Sequence, residues 1–357
     1  MNMVWVELGI TLVKIALVFF VVLTLVAYLT LAERRVSAFI QDRLGPNRVG
    51  PFGFLQPLAD GVKFIFKEDI IPSHANKPFF IVAPAFALIT ALIALAVVPI
   101  GKGFNTTLFG LLSEPIFVRL QIADLNVGIL YVLAIGSLSV YGVVLGGWAS
   151  NSKYSFLGGL RGAAQMISYE LAMGLSIVGV IAWTGSLRLE DIIEAQSKYW
   201  FAFPQILGCI VFLTAAFAET NRLPFDMPEA EPEIVAGYHT EYSSMKFAMF
   251  FMAEYTHMIV VSCLVVALFF GGWYPLPFGG WFGIDIDKYW YLPPLVFIGK
   301  VLTFLFFFIW VRFTLPRFRY DQVMNLGWKV LFPIAVANLI IISIAILVLQ
   351  NYGYFKA

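Results

Sequence analysis

Long apolar runs separated by polar connectors are the main pattern of the sequence. An α-helix needs about 20 predominantly apolar residues to cross the hydrocarbon core of a bilayer, and eight runs reach or approach that length. They cover residues 9–31, 79–99, 127–148, 168–184, 204–219, 247–271, 295–314 and 330–350. The pattern predicts an all-α polytopic membrane protein with eight transmembrane helices.

The longest connector, residues 32–78, contains a further helical pattern. Its first half, ERRVSAFIQDRLGPNRVGPFGF, is interrupted by glycines and prolines that end the preceding helix. In the following LQPLADGVKFIFKEDI, apolar residues recur with a period of 3.6: Leu55, Leu58, Val62, Ile65 and Phe66. Charged residues fall on the other side, so we expect a short amphipathic helix at the membrane interface.

Composition agrees with a membrane protein and gives no sign of a separate soluble domain. Hydrophobic residues make up 60% of the chain and charged residues 13%, against about 45–50% and about 25% in soluble domains. The formal net charge of +1 argues against a nucleic-acid partner. Cys209 and Cys263 lie in separate apolar runs, without the spacing of a zinc or iron–sulfur site. We expect one membrane domain, residues 1–357.

The distribution of Lys and Arg among the connectors predicts the orientation. The odd-numbered connectors contain 14 of these residues and the even-numbered connectors contain five. By the positive-inside rule the odd connectors face the cytoplasm, or the matrix in an organelle, and an even number of spans returns both termini to the opposite side. In a bacterial cell this means the inner membrane, with both termini on the periplasmic side.

One cytoplasmic connector, residues 219–246, concentrates acid in an otherwise apolar chain. The stretch AETNRLPFDMPEAEPEIVAGYHTEY, which begins at Ala218, contains one arginine and six carboxylates. The carboxylates are Glu219, Asp226, Glu229, Glu231, Glu233 and Glu241. A solvated acidic loop is one interpretation. Because prolines and apolar residues alternate with the acids, we expect instead a rigid loop that folds back and lines a cavity with its acids.

Three carboxylates lie within apolar runs or at their ends. Glu170 occurs in SYELAMGLSIVGV, Glu254 occurs in FFMAEYTHMIV, and Glu219 closes the fifth run. A charged group at the bilayer centre costs on the order of 2.5–3.5 kcal/mol by insertion scales, so each must face a partner or a wet cavity. Such carboxylates are suited to a proton relay. The alternative is that they pair with Lys and Arg and fix the packing of the helices.

Other ionisable residues give weaker indications. His257 follows Glu254 by three residues, close enough on a helix for a local hydrogen bond. No third ligand at suitable spacing accompanies it, so we expect no metal site. Lys14, Lys300 and Arg312, near or within apolar runs, are expected to snorkel or to pair with carboxylates. Because motifs for phosphate, haem and flavin are missing, we expect the chain to bind no redox cofactor.

Four motifs, in this order along the chain, resemble one known family. They are AERRVSAFIQDRLGPNRVGP, LADGVKFIFKEDIIP, GWASNSKYSFLGGLRGAAQMISYE, and the acidic connector followed by FAMFFMAEY. They closely resemble the H subunit of bacterial NADH:quinone oxidoreductase, respiratory complex I, whose mitochondrial counterpart is NADH dehydrogenase subunit 1. Leu223 and Pro232 depart from residues common in relatives, which affects the bulk and stiffness of the loop without removing an acid.

The resemblance implies a subunit at the junction of the membrane arm and the hydrophilic arm of a proton-pumping enzyme. In that family the chain itself carries no redox centre. NADH, FMN and the iron–sulfur clusters belong to partner subunits, and the quinone is the substrate. Peripheral-arm subunits with the terminal iron–sulfur cluster complete the quinone chamber, and small and antiporter-like subunits continue the membrane arm.

The resemblance also implies roles for particular residues. The quinone chamber and its entrance would involve Glu33, Arg34, Arg35, Asp60, Phe217 and Phe225. The carboxylates that couple quinone reduction to proton translocation would be Glu170, Glu219, Glu229, Glu231, Glu233, Glu241 and Glu254.

Two other functions stay open at the level of sequence. The same architecture would serve a related membrane-bound hydrogenase or another donor-driven complex, because the electron-input module lies on other subunits. The intramembrane carboxylates alone also permit a self-contained proton-linked transporter. The two halves of the chain share no spacing typical of an inverted-repeat transporter, which disfavours that function.

Overall fold

The computed structural model describes residues 3–106, 116–275 and 289–352, and the chain is mostly helical within these ranges. The helices are α1 Met3–Ile40, α2 Gln56–Phe66, α3 Lys77–Ala94, α4 Gly128–Ala149, α5 Lys153–Thr184, α6 Leu189–Ala195, α7 Ile206–Glu219, α8 Glu231–Ile234, α9 Ser244–Phe269, α10 Leu292–Thr314, α11 Tyr320–Asn325 and α12 Phe332–Asn351. A π-helical segment, Leu326–Leu331, joins α11 and α12 into one long helix.

Seven of the described helices are long and apolar enough to cross a membrane: α1, α3, α4, α5, α9, α10 and the continuous helix of α11 and α12. The structure therefore confirms the predicted class, a mostly helical protein with several membrane-spanning helices. The fifth apolar run forms α7, which has 14 residues. At 1.5 Å per residue α7 covers about 21 Å, less than the hydrocarbon core of about 30 Å.

A small antiparallel hairpin, which the all-α prediction missed, lies in the second connector. Strand β1, Gly101–Thr106, pairs with strand β2, Ile116–Leu120, and Phe104 lies opposite Val118. The side chains of β2 alternate between half-buried and exposed positions, which is the period of a strand. Five alternating residues are too short a signal to stand out in a search for long apolar runs.

Some helices extend well beyond the apolar runs that predicted them. α5 begins at Lys153, before the run at 168–184, because small residues in KYSFLGGLRGAAQMI allow a close approach to α4. Gly147 of α4 shows how close this approach is: a Cβ atom there would lie 2.4 Å from the carbonyl oxygen of Ser155. α1 likewise continues past residue 31 to Ile40, so the motif ERRVSAF is helical.

α9 is the central helix of the described chain. Its residues from Tyr255 to Phe269 are buried, and it contacts α1, α3, α7 and α10. α1 and α12 instead expose apolar side chains along most of their length. Hydrocarbon tails are as apolar as leucine, so this distribution fits a helix inside the protein and two helices at its periphery.

The C-terminal end of α9 is held by a lysine of α10. Lys300 donates from Nζ to the carbonyl oxygens of Phe270 at 2.6 Å and Gly272 at 3.0 Å. A cation is favourable at a helix C-terminus, where carbonyl groups lack partners. The sequence predicted that Lys300 snorkels or pairs with a carboxylate; within the described residues its ammonium group contacts carbonyl oxygens at the end of α9 instead of a carboxylate.

The acidic connector folds back against the helices, as its prolines and apolar residues predict. Phe225, Met227 and Ile234 of the connector are buried. Gln165 of α5 donates from Nε2 to the carbonyl oxygens of Ala218 at 2.7 Å and Phe225 at 2.6 Å. These bonds hold both ends of the turn that follows α7, so the connector forms a fixed wall of the protein.

Candidate functional site

Arg222, the single arginine of the acidic connector, lies at the centre of a buried charge cluster. Its Nε is 2.7 Å from Oε1 of Glu254 on α9, and its Nη1 is 3.3 Å from Oε2 of Glu33 on α1. The guanidinium also lies 4.2 Å from the ring centroid of Tyr255, whose hydroxyl donates to Glu33 at 2.7 Å. Burial opposes the charge of Arg222, but the two carboxylates outweigh burial and raise its pKa above the ordinary value. Arg222 therefore stays a cation.

Two further arginines complete the charge cluster. Arg312 of α10 pairs with Glu33. Arg317, just beyond α10, donates from Nη2 to Oδ2 of Asp226 at 2.6 Å. Burial raises the pKa of Asp226, and the neighbouring arginines, Arg317 above all, oppose that rise. Only 9% of each of these two carboxylate side chains is exposed, so solvent screens their charges weakly.

A cavity of about 40 Å³ lies beside the charge cluster. One water molecule needs about 10–15 Å³ by this measure, so the cavity has room for a few waters. Three of the predicted coupling carboxylates line it: Glu219 of α7, Glu229 of the connector and Glu254 of α9. The other polar lining residues are Ser139, Thr220, Asn221, Tyr238 and His257. The structure thus brings acids from two helices and the connector to one internal space.

Glu229 is the carboxylate of the acidic connector that lines this cavity. Burial raises the pKa of Glu229 well above its ordinary value, and the charges of Glu254 and Asp226 act in the same direction. Both causes favour the protonated form of this carboxyl group. His239 lies near, with Nδ1 3.8 Å from Oε1 of Glu229. Because burial lowers the pKa of His239 to about 4, this imidazole is neutral and the two groups do not form a charged pair.

Glu170 of α5 lies near Glu219 but does not line the cavity. It accepts a hydrogen bond from the hydroxyl of Ser137 on α4, and it is close enough to Glu219 to interact with it electrostatically. A Cβ atom on Gly136 of α4 would lie 3.2 Å from Oε1 of Glu219, so the glycine leaves room for that carboxylate. α4, α5 and α7 together position these two acids.

Three of the predicted coupling carboxylates lie on the outer side of the connector. Glu231 and Glu233 are exposed and Glu241 is partly exposed. Their spacing from Glu229, every second residue, would place side chains on one side of an extended segment. The helical turn α8 instead directs Glu231 and Glu233 away from the cavity, and Glu233 pairs with Arg161 of α5. The structure does not bring these three acids to the cavity lining.

The predicted entrance residues separate into an outer and an inner set. Arg34 contacts Asp60 of α2, with Nη1 2.7 Å from Oδ2, and Arg35 donates to the carbonyl oxygen of Phe52. Glu33 points inward to the charge cluster. Successive residues of an α-helix are about 100° apart around its axis, so one turn of α1 serves both the interior and the surface near α2.

The two aromatic residues predicted for the quinone chamber are packed inside the protein. The ring of Phe217 on α7 lies 4.1 Å from the ring of Phe308 on α10, measured between centroids. Phe225 packs edge-on against Tyr169 of α5 at 5.3 Å. Both phenylalanines are buried and connect the acidic connector to the apolar core.

Sequence reasoning gave no site role to Arg222, Arg312, Arg317 or Asp226. Arg312 carried a usable signal, because an ionisable residue within an apolar run needs a partner. The expectation that it pairs with a carboxylate is confirmed, and its partner is Glu33. Arg222 and Asp226 were visible only as members of the acidic stretch. Arg317 had no signal, because only the tertiary fold brings it to the connector.

The fold and this site define a class of protein: a multi-pass helical membrane protein in which acids and arginines from several helices meet beside an internal cavity. Across residues 3–106, 116–275 and 289–352, no group of three or more His, Cys, Asp or Glu side chains is arranged to hold a metal ion.

Comparison with known proteins then identifies the family. Residues 13–343 match the family described as NADH dehydrogenase. The chain is 55% identical to an H subunit of the NADH-quinone oxidoreductase of Geobacter metallireducens, over 96% of this chain and 98% of that protein. It is 50% identical to an H subunit of the same enzyme from Cytophaga hutchinsonii, over 92% and 94%. It is 49% identical to NADH-ubiquinone oxidoreductase chain 1 of Chondrus crispus, over 93% and 95%. The chain belongs to the NADH dehydrogenase family, and the resemblance of its four motifs is confirmed.

Proposed function

We propose that the chain is a membrane-arm subunit of a proton-translocating NADH:quinone oxidoreductase. In this role it forms part of the quinone-binding chamber and couples quinone reduction to proton translocation through buried carboxylates. Membership of the NADH dehydrogenase family supports the proposal. The observation that carries it is the line of charged groups from Glu33 through Arg222 to Glu254 and the cavity.

Arg222 is shared between two carboxylates, so a change of charge at one alters the electrostatic environment of the other. At an effective dielectric constant of about 20, two unit charges about 4 Å apart interact by about 4 kcal/mol. This energy corresponds to about 3 pKa units. We propose that a charge change beside Glu33 during quinone reduction acts on Arg222 with an energy of this order, and through Arg222 on Glu254. Burial favours the protonated form of Glu229, so Glu229 is the proposed proton donor among these acids.

The carboxylates fall into an inner and an outer set in this proposal. Glu229 and Glu254 receive the charge change, and Glu219 and then Glu170 extend the route into the membrane arm. The cavity that Glu219 shares with Glu229 and Glu254 and the electrostatic interaction of Glu170 with Glu219 support this order. The outer acids, Glu231, Glu233 and Glu241, are exposed or partly exposed in the single chain. We propose that they face partner subunits at the mouth of the passage.

The entrance to the quinone chamber is assigned to the surface where α1 meets α2. Arg34, Arg35 and Asp60 lie there, and their contacts hold the two helices and the following loop together. Glu33 faces inward from the same turn of α1. Phe217 and Phe225 support the chamber wall from behind, consistent with their packing in the core.

We propose eight transmembrane helices in a single membrane domain of residues 1–357. They are the seven long helices together with α7, which is the fifth span in chain order. α7 is apolar, and its contacts with α5, α9 and α12 support a span despite its short length. α2 lies at the membrane interface, supported by the exposure of Leu58, Ile65 and Phe66. The basic connector 32–78 and the acidic connector 219–246 face the bacterial cytoplasm. Both termini lie on the periplasmic side of the inner membrane, as the distribution of Lys and Arg suggests.

The proposed partners are those of a multi-subunit NADH-quinone oxidoreductase. Peripheral-arm subunits provide the terminal iron–sulfur cluster and the rest of the quinone pocket, and they carry FMN and bind NADH. Small and antiporter-like subunits adjoin this chain in the membrane. This chain holds no redox group in the proposal, and the quinone is its substrate.

Substitution of the inner carboxylates tests the coupling role. Glu219→Gln and Glu254→Gln should each lower quinone reduction or its coupled proton translocation, by about 10²-fold or more where proton transfer becomes limiting. Glu194→Gln is the matched control, because Glu194 is exposed on α6 and outside the site. Full coupled activity in both inner variants would refute the assigned roles.

Purification of the tagged chain from its native membranes tests the identity of the complex. Flavin and iron–sulfur subunits should co-purify, with inhibitor-sensitive NADH:quinone reductase activity in the eluate. Hydrogenase subunits in their place would assign the chain to a related donor-driven complex. A chain that purifies alone and moves a solute with protons in liposomes would be a stand-alone transporter.

A further inference from the structure

Three polar atoms that face the same cavity have no hydrogen-bond partner among the described residues. They are Oε2 of Glu219 on α7, Oγ of Ser139 on α4 and Nε2 of His257 on α9. All three atoms are buried, and the residues Ser139 and His257 are only 4% and 8% exposed. Buried polar atoms in folded proteins nearly always have a partner, which is either a protein group or an ordered water. The cavity provides the space for such waters.

His257 is placed to act together with Glu254. It follows Glu254 by three residues on α9, so the two side chains project from neighbouring positions on one side of the helix, and both line the cavity. Arg222 already engages Oε1 of Glu254. Glu219 reaches the same cavity from a different helix. Ser139 and His257 are thus neutral hydrogen-bonding groups in a space shared by two carboxylates.

We propose that His257 and Ser139 hold water molecules in this cavity and thereby connect Glu254 to Glu219 for proton transfer. The inference rests on the proposed function and names two positioning residues for it. In the transfer, Glu254 first takes up a proton from Glu229, which lines the same cavity; the new O–H bond of Glu254 then breaks and its proton passes to a water. The water chain delivers a proton to the Glu219 carboxylate, where a new O–H bond forms. Over the two steps the negative charge moves from Glu219 to Glu229, and the waters are regenerated.

The two residues hold water in different ways. In a neutral imidazole one nitrogen donates and the other accepts, so Nε2 of His257 makes one kind of hydrogen bond to a water, set by the tautomer, whereas the hydroxyl of Ser139 both donates and accepts. A residue that only fills space at position 257 is replaceable by an apolar side chain. A residue that holds water is replaceable only by another hydrogen-bonding side chain, so Leu and Asn at this position separate the two roles.

The test uses the whole complex, purified from native membranes and reconstituted in liposomes, with His257→Leu, His257→Asn and Ser139→Ala. Quinone reduction and protons translocated per NADH are measured together. We expect His257→Leu to lower proton translocation about 10-fold or more, Ser139→Ala to lower it less, and His257→Asn to retain most of it. Ser262→Ala is the matched control, because this buried hydroxyl of α9 donates to its own helix at Met258, at 2.7 Å, and does not line the cavity.

A cryo-EM map that resolves ordered water provides a second measurement on the native complex, which decides the matter if His257→Leu does not assemble. Waters should lie about 2.7–3.2 Å from Nε2 of His257 and Oγ of Ser139. A dry cavity, or full proton translocation by His257→Leu, would overturn the inference. If the inference is overturned but Glu219→Gln and Glu254→Gln lose coupling, the proposed function stands and only the water-holding role of His257 and Ser139 is lost. If those two variants also keep full coupling, the proposed function fails as well.

Discussion

Nε of Arg222 lies 2.7 Å from Oε1 of Glu254, which ties the acidic connector to the central helix α9. Only 4% and 12% of these side chains are exposed. Both ions have lost most of their hydration, and such a loss is offset only while the partner stays in place. Since Arg222 also faces Glu33, the position of the connector depends on the charges of two carboxylates, Glu33 on α1 and Glu254 on α9.

Replacement of Arg222 by Met should destabilise the protein strongly, because Glu33 and Glu254 would remain buried without their shared cation. Removing one partner of a buried ion pair costs about 3–5 kcal/mol. Thermal denaturation of the purified complex measures the effect. Arg319→Met is the control, since Arg319 and its partner Asp321 are exposed and such pairs contribute at most about 1 kcal/mol. Equal stability of the two variant complexes would contradict the buried pair.

Glu229→Gln should change how the stability of the complex depends on pH. Burial raises the pKa of Glu229 in the folded protein, whereas the unfolded chain loses this proton near its ordinary pKa of 4.5. At a pH between these two pKa values, folding is therefore accompanied by proton uptake at Glu229. The stability of wild type declines as pH rises through that interval, because the folded protein must keep a proton that the unfolded chain has lost. Gln stays neutral and removes the decline.

The measurement for Glu229 is a series of melting temperatures over about pH 5 to 8. The stability of Glu229→Gln relative to wild type should increase steadily with pH. Glu231→Gln controls for the loss of a carboxylate from the exposed side of the same connector. A difference between Glu229→Gln and wild type that does not vary with pH would contradict a raised pKa of Glu229 in the folded protein.

Gly237→Ala should prevent the acidic connector from closing against the helices. Gly237 has a φ of +58°, and a Cβ atom there would lie 1.7 Å from the carbonyl oxygen of Pro228. Native gels of solubilised membranes should show little assembled complex. Gly174→Ala is the control, because a Cβ atom on this helical glycine meets no neighbour within 4 Å and alanine favours helix. Normal assembly of Gly237→Ala would show that the connector does not need this close approach.

Asp226 and Arg317 should behave as a coupled pair in a double-mutant cycle of stability. Asp226→Asn and Arg317→Gln each break the contact at 2.6 Å, so their combined effect should differ from the sum by about 0.5–3 kcal/mol. Asp124→Asn, which affects a pair with Arg188 elsewhere in the chain, should add to Arg317→Gln within about 0.5 kcal/mol. Additive effects of Asp226→Asn and Arg317→Gln would mean that the pair is not formed in the complex.

The apolar runs predicted the long helices because the thickness of a bilayer imposes a length on any helix that crosses it. The same rule could not predict the first half of α5, where glycine and alanine allow close packing on α4 without forming an apolar run. It also could not predict the β hairpin, whose strands have five and six residues. Both features depend on tertiary contacts rather than on hydrophobicity.

The inner acids of the site could be found from the sequence because a carboxylate in an apolar run is costly and needs a partner. Glu254 and Glu219 satisfied that rule, and both line the cavity. The identity of the partners could not be found in the same way. Arg312 and Arg317 are distant in sequence from Glu33 and Asp226, and only the packing of α10 against α1 and the connector brings them together.

Coupling through Glu254 and Glu219 is tested most directly by infrared difference spectra of carboxyl groups, recorded while NADH drives quinone reduction in the reconstituted complex. We predict a change in the carboxyl C=O bands on reduction, and we predict that Glu254→Gln and Glu219→Gln remove part of this change together with proton translocation. An unchanged spectrum with full proton translocation in both variants would contradict the role of these carboxylates.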